Sequence, residues 1–302
     1  MNTRLLPLCA ALIAALPLAA PAQTTTAPTA RPLTLRYKWT PGEVQHYKAT
    51  MDMNITMDMT GLGPKAPGLM PPMIGHTTMA YDLTVQSVNP ADGSATLTEH
   101  ITQMSATLNG KPMPGMETGL DANKGDVTLV LSPLGKMLSM HLPVSDAGKL
   151  PPGMDLSKIG EATPATLPSF PAHVGDTWQD NTTMHLFNQM PGMAALQTTV
   201  FSTLAGISKD AHPIAGIRQT SQGTLNGAMP AGAAGKLDMT GQFQDDSLVK
   251  FDVDNGSMLG QDGTLTMNTH VAMPNTPATG KTMQMRTRMQ MTTHLERLPS
   301  AP

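Results

Sequence analysis

Between Tyr47 and Met59 the chain reads YKATMDMNITMDM. The odd positions (Tyr47, Ala49, Met51, Met53, Ile55, Met57, Met59) are apolar or small, and the even ones (Lys48, Thr50, Asp52, Asn54, Thr56, Asp58) are polar. A period of two predicts a β-strand with one buried face and one wet face. At about 3.4 Å per residue the stretch would run roughly 40 Å, beyond an ordinary strand. The chain ends on the same pattern. Met283, Met285, Thr287, Met289, Met291, Thr293 and Leu295 share one phase, and Gln284, Arg286, Arg288, Gln290, Thr292, His294 and Glu296 the other.

Other segments repeat the pattern at shorter range. Leu33, Leu35, Tyr37 and Trp39 alternate with polar residues and predict a first strand, ended by Pro41-Gly42. Gly61 to Gly75 is rich in Pro and Gly and predicts a loop. Thr77 to Val85 is the next strand, turning at Asn89 to Gly93. From Ser94 to Leu108 the apolar phase switches from odd (Leu97, Ile101) to even (Met104, Ala106, Leu108), as a β-bulge would produce. Ser132-Pro133-Leu134-Gly135 predicts a hairpin between Asp126–Leu131 and Lys136–Met140.

Between residues 143 and 168 the alternation fails, which predicts a linker or crossover. Extended segments resume at Asn181–Phe187, Gln197–Ile207, Ile214–Leu225, Leu237–Phe243, Ser247–Val253 and Met258–His270. Met190–Gln197 has room for a turn or two of helix. The expectation is an all-β protein with long antiparallel strands in curved sheets, as a sandwich, half-barrel or barrel. It has an N-terminal β half at 33–142 and a C-terminal β half at 169–298. The pattern leaves open whether the halves share one sheet.

Residues 1–22 change the compartment. Arg4 precedes an apolar run, and Ala20-Pro21-Ala22 supplies small residues before Gln23, as in a secretory signal peptide. Residues 23–32 read as a flexible tether. The expected location is exported, periplasmic or extracellular, and soluble, with no transmembrane segment. Cys9 is the chain's one cysteine and sits inside the leader, so the mature chain is expected to carry no disulfide and no thiolate site. Removing Arg4 makes the mature chain one unit more acidic than the −3 of the whole. Sparse charge of mixed sign argues against a nucleic-acid partner.

The segments YKWTPGEVQHYKATMDM, FPAHVGDTW and FDVDNGSM resemble a loosely defined, uncharacterised group of secreted bacterial β-rich proteins. That resemblance implies a fold style and an exported location, and no catalytic residue. FPAHVGDTWQ also echoes WTPGEVQHY, which makes the two halves candidates for an internal duplication. A fold-level analogy to periplasmic lipoprotein carriers implies long strands curved around an apolar cavity.

Methionine carries the candidate chemistry. There are 26 in the chain, against five Phe and three Tyr, and in the strands they take inward positions usual for Val, Ile or Phe. The plain reading of the strand methionines is core filler. In loops they flank turns at Met70/Met73, Met113/Met116 and Met190/Met193, with His76 close to the first pair. A tight turn brings its first and fourth residues together, and thioethers select Cu(I). These seven residues form the candidate metal set, with copper as the candidate ion.

The nine histidines are scattered, with no HExxH. No nucleophile elbow, phosphate loop or dinucleotide fingerprint is present. Asp52 and Asp58 read as solubilising charges on the wet face, and His294 as a solvated surface residue. The reading is a non-enzymatic exported binding or scaffolding protein of the cell envelope, with an unknown envelope component or apolar ligand as partner. Cu(I) binding, lipid carriage and a carboxylate hydrolase are the alternatives.

Overall fold

The computed structural model describes residues 31–60, 70–113, 126–141, 166–185, 195–208, 212–230, 236–273 and 282–299. The leader, most of the tether and most of the linker lie outside them. The described residues form β1 (Val44–Thr60), β2 (Met73–Val88), β3 (Ala95–Leu108), β4 (Lys111–Pro112), β5 (Val127–Leu131) and β6 (Met137–His141) in the first half. The second half supplies β7 (Thr177–His185), β8 (Ala195–Ile207), β9 (Ile214–Pro230), β10 (Lys236–Asp252), β11 (Ser257–Met273) and β12 (Met283–Leu298).

All twelve belong to one sheet, in the order β6-β5-β3-β2-β1-β12-β11-β10-β9-β8-β7, with β4 paired to β3. Every pairing is antiparallel. The sheet is curved and unclosed, with β6 and β7 as its edges. The halves meet at the centre, where β1 and β12 pair from His46↔Leu298 to Thr60↔Gln284. They therefore share one sheet.

The expected bulge is present. Ala80 faces Gln103 but Tyr81 faces Ile101, so Thr102 is the extra residue and the apolar phase of β3 shifts by one. Two expectations are corrected. Leu237–Phe243 and Ser247–Val253 are parts of one strand, β10, which pairs straight through Asp245, the inward acid between them. Leu33–Trp39 is no strand of the sheet. It is an extended strap that touches the sheet through single contacts: Leu33 exchanges backbone bonds with Ala172, the Tyr37 amide donates to the Pro133 carbonyl, and the Lys38 amide to the Gly256 carbonyl. Its alternation reflects burial of Leu35 beneath the sheet rather than ladder pairing.

Burial divides the sheet into two ends. The base holds Val44, Val88, Ala95, Ile207, Ile214, Asp252, Ser257 and Leu298. The rim holds Thr60, Met73, Leu108, Pro230, Lys236 and Met283. At the base Leu35, Leu167, Ala172, Leu204, Ala215, Ile217, Val249 and Phe251 form one core cluster, and Val85, Ala95, Leu97 and Leu129 another. Tyr37 stacks on Trp39 with ring centres 5.0 Å apart and meets Phe251 edge-on at 5.1 Å. Gly256, at φ +60°, is required here because a Cβ would lie 2.6 Å from the Arg36 carbonyl oxygen.

The start of each half uses the same turn. The Gly42 amide donates to the Val85 carbonyl, whose own amide donates to Glu43. The Gly175 amide donates to the Leu204 carbonyl, and the Leu204 amide to Asp176. Both glycines have positive φ, +83° and +96°.

Candidate functional site

The pleat sends odd positions of β1, β2, β9, β10, β11 and β12 to one face, here the inner face. At the rim end the register aligns methionine-rich rows across the strands, interrupted by Asp245 and by the row Gly241, Thr269, Thr287, Met57. One row runs Phe243, Met267, Met289, Ile55, Met73 from β10 to β2. A second runs Asp245, Leu265, Met291, Met53, Gly75, and a third Met239, Val271, Met285, Met59. Residues directly opposite have Cβ atoms about 5 Å apart, so Met53 faces Met291 and Met59 faces Met285 across one strand gap. The Met53 methyl lies over Gly75, where a Cβ would meet it at 3.1 Å.

The same face is filled differently at its two ends. At the base Leu35, Leu97, Val85, Ile217, Val249 and Phe251 are 0–2 % exposed. At the rim Met53, Ile55, Met57, Met59, Met285, Met289 and Met291 are only half-buried, and Met51 is 37 % exposed. No methionine is among the buried core residues described. Methionine extends the apolar face beyond the point where close packing stops.

A buried polar cluster lies at the base, across the seam of β1 and β12. The Tyr47 hydroxyl lies 2.9 Å from the Gln45 side-chain oxygen and 3.0 Å from the Met258 carbonyl, its single proton serving one of the two at a time, and its ring stacks on Tyr81. Arg297 bonds Ser257 and Glu43. Desolvation pushes the phenols of Tyr47 and Tyr81 well above their usual range. Two carboxylates also lie on this inner face. Burial raises Glu99, and burial followed by the neighbouring Asp246 charge raises Asp245 despite its bond to Ser247. Sequence reasoning missed both, although each is an acid in the inward phase of its strand, and that was a readable signal.

The outer face is polar and ordered. His46 reaches Asp82 at 2.6 Å, His76 reaches Asp52 at 2.7 Å, His100 reaches Asp126 at 2.8 Å, and His294 reaches Asp262 at 2.5 Å. Three of these are directly opposed cross-strand pairs, His46↔Asp82, Asp52↔His76 and Asp262↔His294. The bond from His294, then those from Lys250, hold the Asp262 carboxyl below its usual value. His294 is exposed, as expected, and paired. Asp52 and Asp58 lie on the wet face as expected, Asp52 as the partner of His76.

Four of the seven candidate metal residues lie among the described residues. Met70 precedes β2, and its amide donates to the Met57 carbonyl at 3.0 Å. Met73 is the first residue of β2 and lies on the inner face, whereas His76, three residues on, lies on the outer face. Met113 follows β4 and its amide donates to Ala106. Met116, Met190 and Met193 lie outside the described residues. Among the described residues no group of three or more His, Cys, Asp or Glu is placed to hold a metal ion, and no helix is long and apolar enough to cross a membrane.

No family model and no curated protein matches the chain. Among solved structures it is similar to lipovitellin, from a study of its lipid–protein interactions, at 13% identity and a TM-score of 0.38, covering 88% of this chain and 26% of that one. The chain thus spans about a quarter of lipovitellin's length. It is also similar to Pseudomonas aeruginosa OccK11 (7% identity, TM-score 0.20, 88% of this chain and 100% of that one). A Rhodopseudomonas blastica porin mutant gives 8% identity and a TM-score of 0.20, over 85% and 99% of the two chains.

Proposed function

We propose that the chain is an exported, non-enzymatic binding protein of the cell envelope that holds the acyl chain of an apolar ligand against its methionine face. The observation that supports this is the burial gradient on one face. Methionines take much of the inward phase of β1 and β12 beyond the core, interspersed with Thr and Gly, where the base has branched aliphatic and aromatic residues. Methionine is unbranched and polarizable and re-packs against varied apolar partners, which suits a surface that must be filled by a ligand.

The test is displacement of a dansyl-labelled fatty acid from the mature protein. Native protein is expected to bind it at micromolar concentration. A Met53→Gln/Met289→Gln double variant should bind about tenfold more weakly while keeping its thermal midpoint, because these side chains lie outside the core. Absence of micromolar binding by the native protein would end the proposal. A second reading rests on the opposed pairs Met53/Met291 and Met59/Met285 across one strand gap, since thioethers select Cu(I). Cu(I) titration against a competing chelator decides it, with loss of uptake in Met291→Leu as the expected sign.

A further inference from the structure

The outer face carries a second surface, unrelated to the methionines. Register aligns Asn54, Gln290, Thr266, Gln244, Gln222, Thr199 and Asn181 in one row across seven strands. The next row toward the rim reads Thr56, Arg288, Asn268, Gln242, Thr224, Gln197 and Thr183. Beyond it come Asp58, Arg286, His270, Thr240 and Asn226. Two cavities, of about 600 Å³ and 840 Å³, lie over these rows and share Thr224, Gln242 and Asn268. They form one trough. Arg286 and Arg288 stand two residues apart on one strand at its end, both exposed, and among the described residues neither side chain has an ion-pair or hydrogen-bond partner.

We infer that this trough binds an extended oligosaccharide bearing acidic groups, with Arg286 and Arg288 on a carboxylate or phosphate and the amide rows on the sugar hydroxyls. Asn, Gln and Thr each offer donors and acceptors that match hydroxyls in either sense. Within each row the side chains repeat at the strand spacing of about 4.8 Å, close to the rise of one sugar unit along an extended glycan. A chain lying across the strands therefore meets an equivalent set of groups at each unit. Paired guanidiniums add charge-assisted, bidentate recognition of an oxyanion. The trough faces away from the methionine surface, so this site stands whether or not the acyl-chain reading does.

Calorimetric titration of the mature protein with oligogalacturonate, a neutral cello-oligosaccharide and inorganic phosphate tests it. Oligogalacturonate is expected to bind most tightly, and more weakly as salt rises. Arg286→Gln/Arg288→Gln should cost at least about tenfold against oligogalacturonate and leave the neutral sugar unchanged. Gln242→Ala/Gln244→Ala should weaken both sugars. Arg218→Gln, on the same face but already beside Asp246 at 3.5 Å, should change neither, and all variants should keep the native melting curve. Equal affinity for oligogalacturonate and free phosphate would reduce the site to an oxyanion patch and overturn the glycan assignment. So would failure of both sugars to bind at millimolar concentration, or indifference of oligogalacturonate to the arginine pair.

Discussion

The base and the rim of this sheet share strands, pleat and inner face, yet they are filled by different residues. At the base Phe251, Leu35, Ile217 and Val249 are sealed by the strap at Leu33–Trp39 and by Leu167. At the rim Met53, Met57, Met285 and Met289 occupy the same phase and remain half-buried. Alternation alone specifies which face a residue points to. Whether that face is covered depends on what the rest of the chain brings to it. Stiff, branched side chains suit the covered end because their shape packs densely against fixed neighbours. Flexible thioethers occupy the end that the rest of the chain leaves half-covered.

Substitutions can break this comparison, beginning at the base. Phe251→Ala removes a fully buried ring and should cost about 3–5 kcal/mol, whereas Met289→Ala should cost about 1 kcal/mol or less. Urea denaturation of the two variants measures the contrast, and equal losses would mean the rim is packed like the base. Next come the twin turns. Neither Gly42 nor Gly175 has a neighbour within 4 Å of a built Cβ, so alanine at either should cost only the positive-φ penalty of about 1–2 kcal/mol. Equal costs would support two related halves, and a clear inequality in thermal melts would count against them.

A pH profile contrasts an inward acid with an outward one. Burial raises the Glu99 value above its ordinary 4.5. The native carboxyl thus keeps a proton that the unfolded chain has already lost, and stability falls as pH rises from 4.5 through the folded value. Glu99→Gln should therefore stabilise the protein at pH 7, with the gain vanishing below 4.5. Asp262 has the opposite sign. Its lowered value contributes stability that is present above 3.8 and lost as pH falls through the folded value. Being exposed, it contributes little. The smallest effect on stability is expected from mild peroxide. Rim methionines should convert to sulfoxide readily, as peptide mass spectrometry would show, with little change in melting but weaker binding of the labelled fatty acid.

Much of the architecture was legible locally. The thirteen-residue alternation at Tyr47–Met59, the phase switch in β3 and the hairpin at Ser132–Gly135 all rest on relations between near neighbours. The strap misled for the same reason: Leu33, Leu35 and Tyr37 alternate because Leu35 is buried, and burial does not require a ladder partner. Asp245 misled in the opposite sense, splitting β10 on paper where the backbone pairs without interruption. The candidate metal set drew on Met73 and His76, whose spacing of three places them on opposite faces once the segment is a strand instead of a loop.

By itself, then, the amino-acid order determined the period, the faces and the all-β class, because side-chain direction in a strand is set by adjacent peptide units. Which strands lie together was decided only in three dimensions. β1 meets β12 across almost the whole chain, and every row depends on that register. The His–Asp pairs, the opposed methionines and the seven-strand amide rows join residues with no proximity in sequence. They exist because backbone hydrogen bonds locked one alignment, and a shift of a single residue would have turned each apolar face toward water.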